Sequence, residues 1–237
     1  MQYRLYENEF ALPHAKISSA VFRIVEDAVC IAWEHLRVIP RSTFNILTAD
    51  EDTITEKLRE ILCDEIFGKW VIDGFSHELF ERPTRDAKIP NFDGTKSDLM
   101  PDLLIGMVNR PTSVRNSSDG LFIECKPVDD AHPVVVHYCK KGIIRFVIGD
   151  YAWAMTSALM IGYVRNGYTI STQLSPALRE REEQFHTIQL PSPWLNSQPR
   201  HHCETVHVSE HNRTFSYVET GEQAPSITLH HLWLRRD

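Results

Sequence analysis

Two short apolar runs carry acidic and basic residues inside stretches of strand character: Pro101-Asp102-Leu103-Leu104-Ile105 and Gly120-Leu121-Phe122-Ile123-Glu124-Cys125-Lys126. Successive side chains on a strand point to opposite faces. Leu121, Ile123 and Cys125 therefore share one face, and Phe122, Glu124 and Lys126 share the other. This holds a carboxylate and an ammonium side by side. Asp102, at the start of a neighbouring strand, supplies a second carboxylate. Asn109 to Gly120, rich in Ser, Asn, Pro and Asp, reads as the polar turn between the two strands. Two carboxylates suit a hard divalent cation, and an adjacent lysine can steady a water or a phosphate. These are the minimal parts for metal-assisted phosphodiester hydrolysis.

A third element belongs with them. Asp50 to Leu62 reads as a helix, because Ile54, Leu58, Ile61 and Leu62 recur at helical spacing. Glu51 falls on that face, one turn before Ile54, whereas Glu56 projects a third of a turn or more away. Glu51 is the better third acid and Glu56 the backup. The plain alternative is that Glu51 is a first-turn acid favoured by the helix dipole. A second acid-x-Lys triplet, Asp86-Ala87-Lys88, precedes Pro101-Asp102 and lacks an apolar strand around it, so it is set aside.

Pro101-Asp102 followed 22 residues later by Glu124-Cys125-Lys126 resembles the motif of the PD-(D/E)XK nuclease superfamily. The resemblance spans about Glu51 to Val164. It implies an α/β fold with a restriction endonuclease-like core, a central mixed β-sheet flanked by helices. It implies Asp102, Glu124, Lys126 and Glu51 as catalytic residues. Mg2+ or Mn2+ would be held by Asp102, Glu124, the backbone carbonyl of Cys125 and Glu51, directly or through water. Lys126 would orient the attacking water or stabilise charge on the phosphate. The implied substrate is DNA, cut in a cytoplasmic bacterial or phage-defence setting by a homodimer or a subunit of a larger complex. The alternatives are an RNase, or a non-catalytic nucleic-acid-binding or scaffold subunit on the same fold.

The remaining segments fill in one domain over residues 1–237, with its core at about 45–170 and a C-terminal β-hairpin extension at about 171–237. Ser18 to Leu36 predicts a capped amphipathic helix that ends before Pro40. Phe67 to Asp73 and Ser76 to Glu81 predict a first strand or hairpin. Arg82 to Ser97 predicts a basic loop beside the site, with Arg85 available to nucleic acid. Pro133 to Phe146 predicts a helix, on which Tyr138, Lys141 and Arg145 share a face at i, i+3 and i+7 and are positioned for phosphate contact. A short helix over Tyr151 to Thr156 leads into a buried strand, Ala158 to Val164. Beyond these lie a charged helix at Leu174 to Phe185, a loop at Leu190 to Pro199, and strands at His202 to Val208 and Ser226 to Leu234. His211 and Arg213 fall on a turn, within reach of substrate. The tail histidines lack the paired spacing of a zinc finger.

Composition sets outer limits. The formal net charge of −7 argues against a surface that coats nucleic acid indiscriminately, leaving room only for a local basic strip. Met1-Gln2-Tyr3-Arg4 does not read as a signal peptide. The apolar uncharged stretch Tyr151 to Val164 is shorter than the about 20 apolar residues that span a bilayer. The five cysteines include no CxxC, and Cys30, Cys63 and Cys125 sit in apolar patterns, as buried free thiols do in a reducing compartment.

Overall fold

The computed structural model describes residues 11–108, 110, 118–198 and 200–237. Its centre is one open, mixed sheet of six strands in the order β1-β2-β3-β6-β5-β4. These are β1 (Leu103–Ile105), β2 (Leu121–Val128), β3 (Ser157–Val164), β4 (Thr187–Pro193), β5 (His207–His211) and β6 (Ile227–Arg235). β1 and β2 run antiparallel, with Leu103 opposite Ile123. β2 pairs parallel with β3, and β3 parallel with β6. β6, β5 and β4 then pair antiparallel. Every residue of β2 and β3 is buried, as expected of central parallel strands covered on both faces.

Helices α1 (Ser19–Arg37) and α2 (Glu51–Ile61) cover one face. Ser18 caps α1 by accepting from the Val21 amide at 3.3 Å, and Asp50 caps α2 by accepting from Thr53 at 2.8 Å. Phe22, Val25, Val29, Ala32, Trp33 and Leu36 form the buried stripe of α1. The Trp33 ring stacks on Tyr163 of β3 at 5.5 Å between centroids, and Thr55 of α2 meets the Tyr163 hydroxyl at 3.0 Å. Both helices therefore sit on the Tyr163 side of the sheet. The opposite face is covered by a π-helical stretch, Val135–Ile143, that runs into α3 (Ile144–Val147). Two more short helices, α4 (Ser175–Arg179) and α5 (Glu182–Phe185), precede β4.

Both capped helices and the strands β1, β2 and β3 lie where the sequence predicts them. Several other segments differ. Phe67 to Asp73 and Ser76 to Glu81 form turns rather than a strand, because Gly68, Trp70 and Gly74 take positive φ angles of 68°, 59° and 80°. Among the described residues, the strand pairing of this region with the β1 side is the single bridge of Phe80 with Met107, followed by that of Thr84 with Leu104. Tyr151 to Thr156 is a bend, not a helix. Ala152 is left-handed there, and the buried Arg213 guanidinium takes the carbonyls of Trp153 at 2.6 Å and Ala152 at 3.2 Å, and also that of Met155. The helix expected over Leu174 to Phe185 breaks at Arg181, whose φ and ψ of −137° and 37° are not helical.

Leu190 to Pro193 belongs to β4, which tolerates its prolines because it lies at the sheet margin and pairs only with β5. The strand expected from His202 begins at His207. The expected C-terminal hairpin is present, with β5 antiparallel to β6, and it extends the sheet through β6, which lies between β3 and β5. Most of the predicted turn between β1 and β2, residues 109 and 111–117, lies outside the described residues.

The β3–β6 contact depends on the absence of a side chain. Gly162 faces Trp233 in register, and a Cβ there would sit 2.5 Å from the indole Cδ1 and 2.7 Å from Nε1. The indole is fully buried and cannot retreat. Gly162→Ala is therefore expected to cost about 1–3 kcal/mol, read as a lower urea midpoint at unchanged m-value. An unchanged midpoint would show that the β3–β6 packing is looser than described.

Candidate active site

The site forms where β1, β2 and α2 meet. Asp102 lies in the bend just before β1, and its Oδ2 accepts the Cys125 backbone amide at 2.7 Å, which fixes it against β2. Glu124 and Lys126 project from β2 toward the π-helical face. Lys126 Nζ lies 2.7 Å from Glu51 Oε1, 3.1 Å from Asp102 Oδ2 and 2.9 Å from Glu124 Oε1. It also donates to the Cys125 carbonyl at 2.6 Å. The four charged residues expected from the sequence thus converge on one ammonium. Glu51 is the helix acid that takes part. Glu56 instead pairs with Arg59 at 2.5 Å and Arg85 at 3.6 Å.

Burial makes the cluster electrostatically tense. Glu124 is 1 % exposed and Lys126 7 %. Removal from water, reinforced by the charge of Asp102, pushes Glu124 up to about 8 against the pull of Lys126. Burial raises Glu51 as well, with Lys126 opposing. Burial also opposes the charge on Lys126, but Glu124, Asp102 and Glu51 together outweigh it and hold the ammonium well above its usual range. The Lys126–Glu124 pair is close but not aligned as a hydrogen bond. Both Glu124 carboxylate oxygens are buried and accept no hydrogen bond among the described residues.

This is a hard-oxygen donor set with unspent lone pairs, of the kind that holds Mg2+ or Mn2+. It is not a ready-made cage. The ligand oxygens of Glu51, Asp102 and Glu124 do not all lie within 4.8 Å of one another, because the ammonium stands among them. Among the described residues, the one trio that meets this spacing is Glu34, His201 and His202.

Two further residues, unforeseen as a pair in the sequence, steady the bend that carries Asp102. Arg145 Nη1 approaches Glu124 Oε1 at 3.6 Å and donates to the Tyr151 hydroxyl. Tyr151 in turn donates to the Met100 carbonyl at 2.7 Å, two residues before Asp102. No local motif marks Tyr151, since its partners are far apart in the chain.

The nucleic-acid contacts expected on the following helix divide. Lys141 is exposed, and Arg145 is half-buried against Glu124. Tyr138 is fully buried and cannot reach a ligand: its hydroxyl bonds the Met160 carbonyl at 3.2 Å and His231 Nδ1 at 3.0 Å. The i, i+3, i+7 reading assumed an α-helix. The i→i+5 pattern of a π-helix turns Tyr138 into the core. Arg85 is held at the first turn of α2, 2.6 Å from Asp52, and Lys88 and Lys96 pair with Asp98 and Asp150, so the expected basic loop is largely neutralised.

His211 and Arg213 are also buried, not poised on a surface turn. His211 and His231 both bond Ser209, at 2.8 Å and 2.7 Å, and burial depresses His211 to about 4. All five cysteines are buried free thiols. No helix among the described residues is long and apolar enough to cross a membrane. No protein-family model matches this chain, and neither a curated protein nor a solved structure matches it.

The raised pKa of Glu124 has a definite sign. The folded state holds the proton more tightly than the unfolded chain, so the cost of charging Glu124 is absent below about pH 4.3 and fully present above about pH 8. In EDTA, wild type should lose stability relative to Glu124→Gln as pH rises through this window. Across the window the stability of wild type relative to the variant should fall by on the order of 5 kcal/mol. Parallel stability curves for the two proteins would contradict the assigned pKa.

Proposed function

We propose that the chain is a divalent-metal-dependent nuclease of the PD-(D/E)XK kind that hydrolyses phosphodiester bonds in DNA. The observation that carries this reading is the convergence of Glu51, Asp102 and Glu124 on Lys126, with both oxygens of a buried carboxylate left without hydrogen bonds. Placing so much charge inside a sheet is costly, and a purely structural role offers little return. The topology supports it too. A mixed sheet flanked by helices, with α2, β1, β2, the π-helical stretch and β3 in that order, is compatible with the α/β fold that the motif resemblance implies.

Asp102 and Glu124 would hold the cation, with Glu51 and the Cys125 carbonyl beside them. When bound, a divalent cation offsets charge on the phosphate and lowers the pKa of a water. The remaining work falls to the chain itself. With the carboxylates compensated, the Lys126 ammonium is released from part of its present load. It can then hydrogen-bond the attacking water or a phosphate oxygen. Arg145 and Tyr151 hold the Met100–Asp102 bend in place, and the exposed Lys141 offers charge to the strand.

A second reading has its own observation. The ammonium already occupies the point of convergence, as in a structural ion cluster on a non-catalytic binding subunit. Incubation with plasmid, single-stranded DNA and RNA, with Mg2+, Mn2+ or EDTA, separates the two. DNA cleavage is expected only with metal. Asp102→Ala and Lys126→Ala should each lower it by about 100-fold or more with circular dichroism unchanged. Absence of cleavage of any nucleic acid under either metal would favour the binding subunit, and cleavage confined to RNA would reassign the substrate.

A further inference from the structure

A cavity of about 700 Å³ opens beside the cluster, with Glu51 and Pro127 on the wall nearest the site and His132, His137, Arg165 and Arg236 around the rest. Its size falls within the roughly 300–1,000 Å³ typical of small-ligand pockets. Its carboxylates are already engaged. Glu51 pairs with Lys126 at 2.7 Å, Asp52 with Arg85 at 2.6 Å, and Asp129 with His132 at 2.7 Å, while Asp50 caps α2. The two arginines have no such compensation. Arg165 makes no ion pair among the described residues, and its Nε is buried without a hydrogen-bond partner. Arg236 is fixed by neutral acceptors only, the carbonyls of Ile46 at 2.6 Å and Ala49 at 2.6 Å. Burial, reinforced by the charge of Arg165 and only partly offset by the Asp129 carboxylate, pushes Arg236 down to about 10. Two neighbouring guanidiniums in a cavity, neither in an ion pair among the described residues, leave room for an external anion, and a guanidinium's planar fork suits phosphate.

We propose that this cavity seats a phosphate group of the substrate strand together with its nucleoside, next to the scissile bond. Arg165 is the donor that meets the phosphate, and Arg236 is the fixed charge behind it. The identification of the ligand as part of a DNA strand rests on the nuclease reading above, whereas anion binding by the cavity does not.

Calorimetric titration of the full chain in EDTA, with thymidine 5′-monophosphate, thymidine and inorganic phosphate as probes, tests the proposal. The nucleotide should bind more tightly than either of the others, and Arg165→Ala should weaken it by about tenfold or more. Lys88→Ala, a surface charge paired with Asp98, serves as control and should bind like wild type. Equal affinity for thymidine and its monophosphate would remove the phosphate seat. Equal affinity for inorganic phosphate and the nucleotide would remove the nucleoside from it. Binding unaffected by Arg165→Ala, or no binding at millimolar nucleotide, would overturn the site. Arg165-dependent binding by a chain that cuts no DNA would leave the anion site standing and reject the nuclease reading alone.

Discussion

One buried ammonium organises this molecule. Lys126 lies in a central region where β2 is covered on both faces, and it compensates three carboxylates brought from α2, the β1 bend and β2 itself. An ion cluster of this kind is expensive to desolvate, and losing one partner leaves charge stranded in the interior. The surrounding structure therefore has to hold every partner in place. Capping of α2 by Asp50 sets where Glu51 points, the Cys125 amide fixes Asp102, and Tyr151 pins the Met100 carbonyl.

The cluster is legible in the sequence because it rests on short-range rules. Alternation along Leu121 to Lys126 predicts that Glu124 and Lys126 share a face, and helical spacing from Ile54 selects Glu51 over Glu56. Both inferences use a single period over a few residues, and the ion pairs agree with both. The same rule understates burial. Alternation alone cannot show that β2 is enclosed on both sides, since that depends on α1 and α2 earlier in the chain and on the π-helical stretch after β2.

Where the sequence reading departs from the structure, long-range contacts or unusual backbone geometry decide. Tyr138 looks like part of a polar face only if Pro133 to Phe146 winds as an α-helix. In the π-helical stretch it turns inward to His231 of the last strand. His211 and Arg213, read as residues of a surface turn, instead fill polar needs in the interior, the latter holding the carbonyls of a bend about 60 residues earlier. The prolines that made Leu190 to Pro193 look like a loop are compatible with a strand that has a free edge. Each outcome depends on a partner distant in the chain.

The central claim is that the Asp102 and Glu124 carboxylates, now balanced by Lys126, are built to accept a divalent cation. A crystal of the full chain grown at about pH 8 with manganese, its anomalous scattering measured at the manganese edge, tests this most directly. The account predicts an anomalous peak bridging Asp102 and Glu124, with the Lys126 ammonium shifted away from them. An ammonium still in contact with all three carboxylates, and no manganese peak between Asp102 and Glu124, would contradict it and leave the cluster as a structural ion pair.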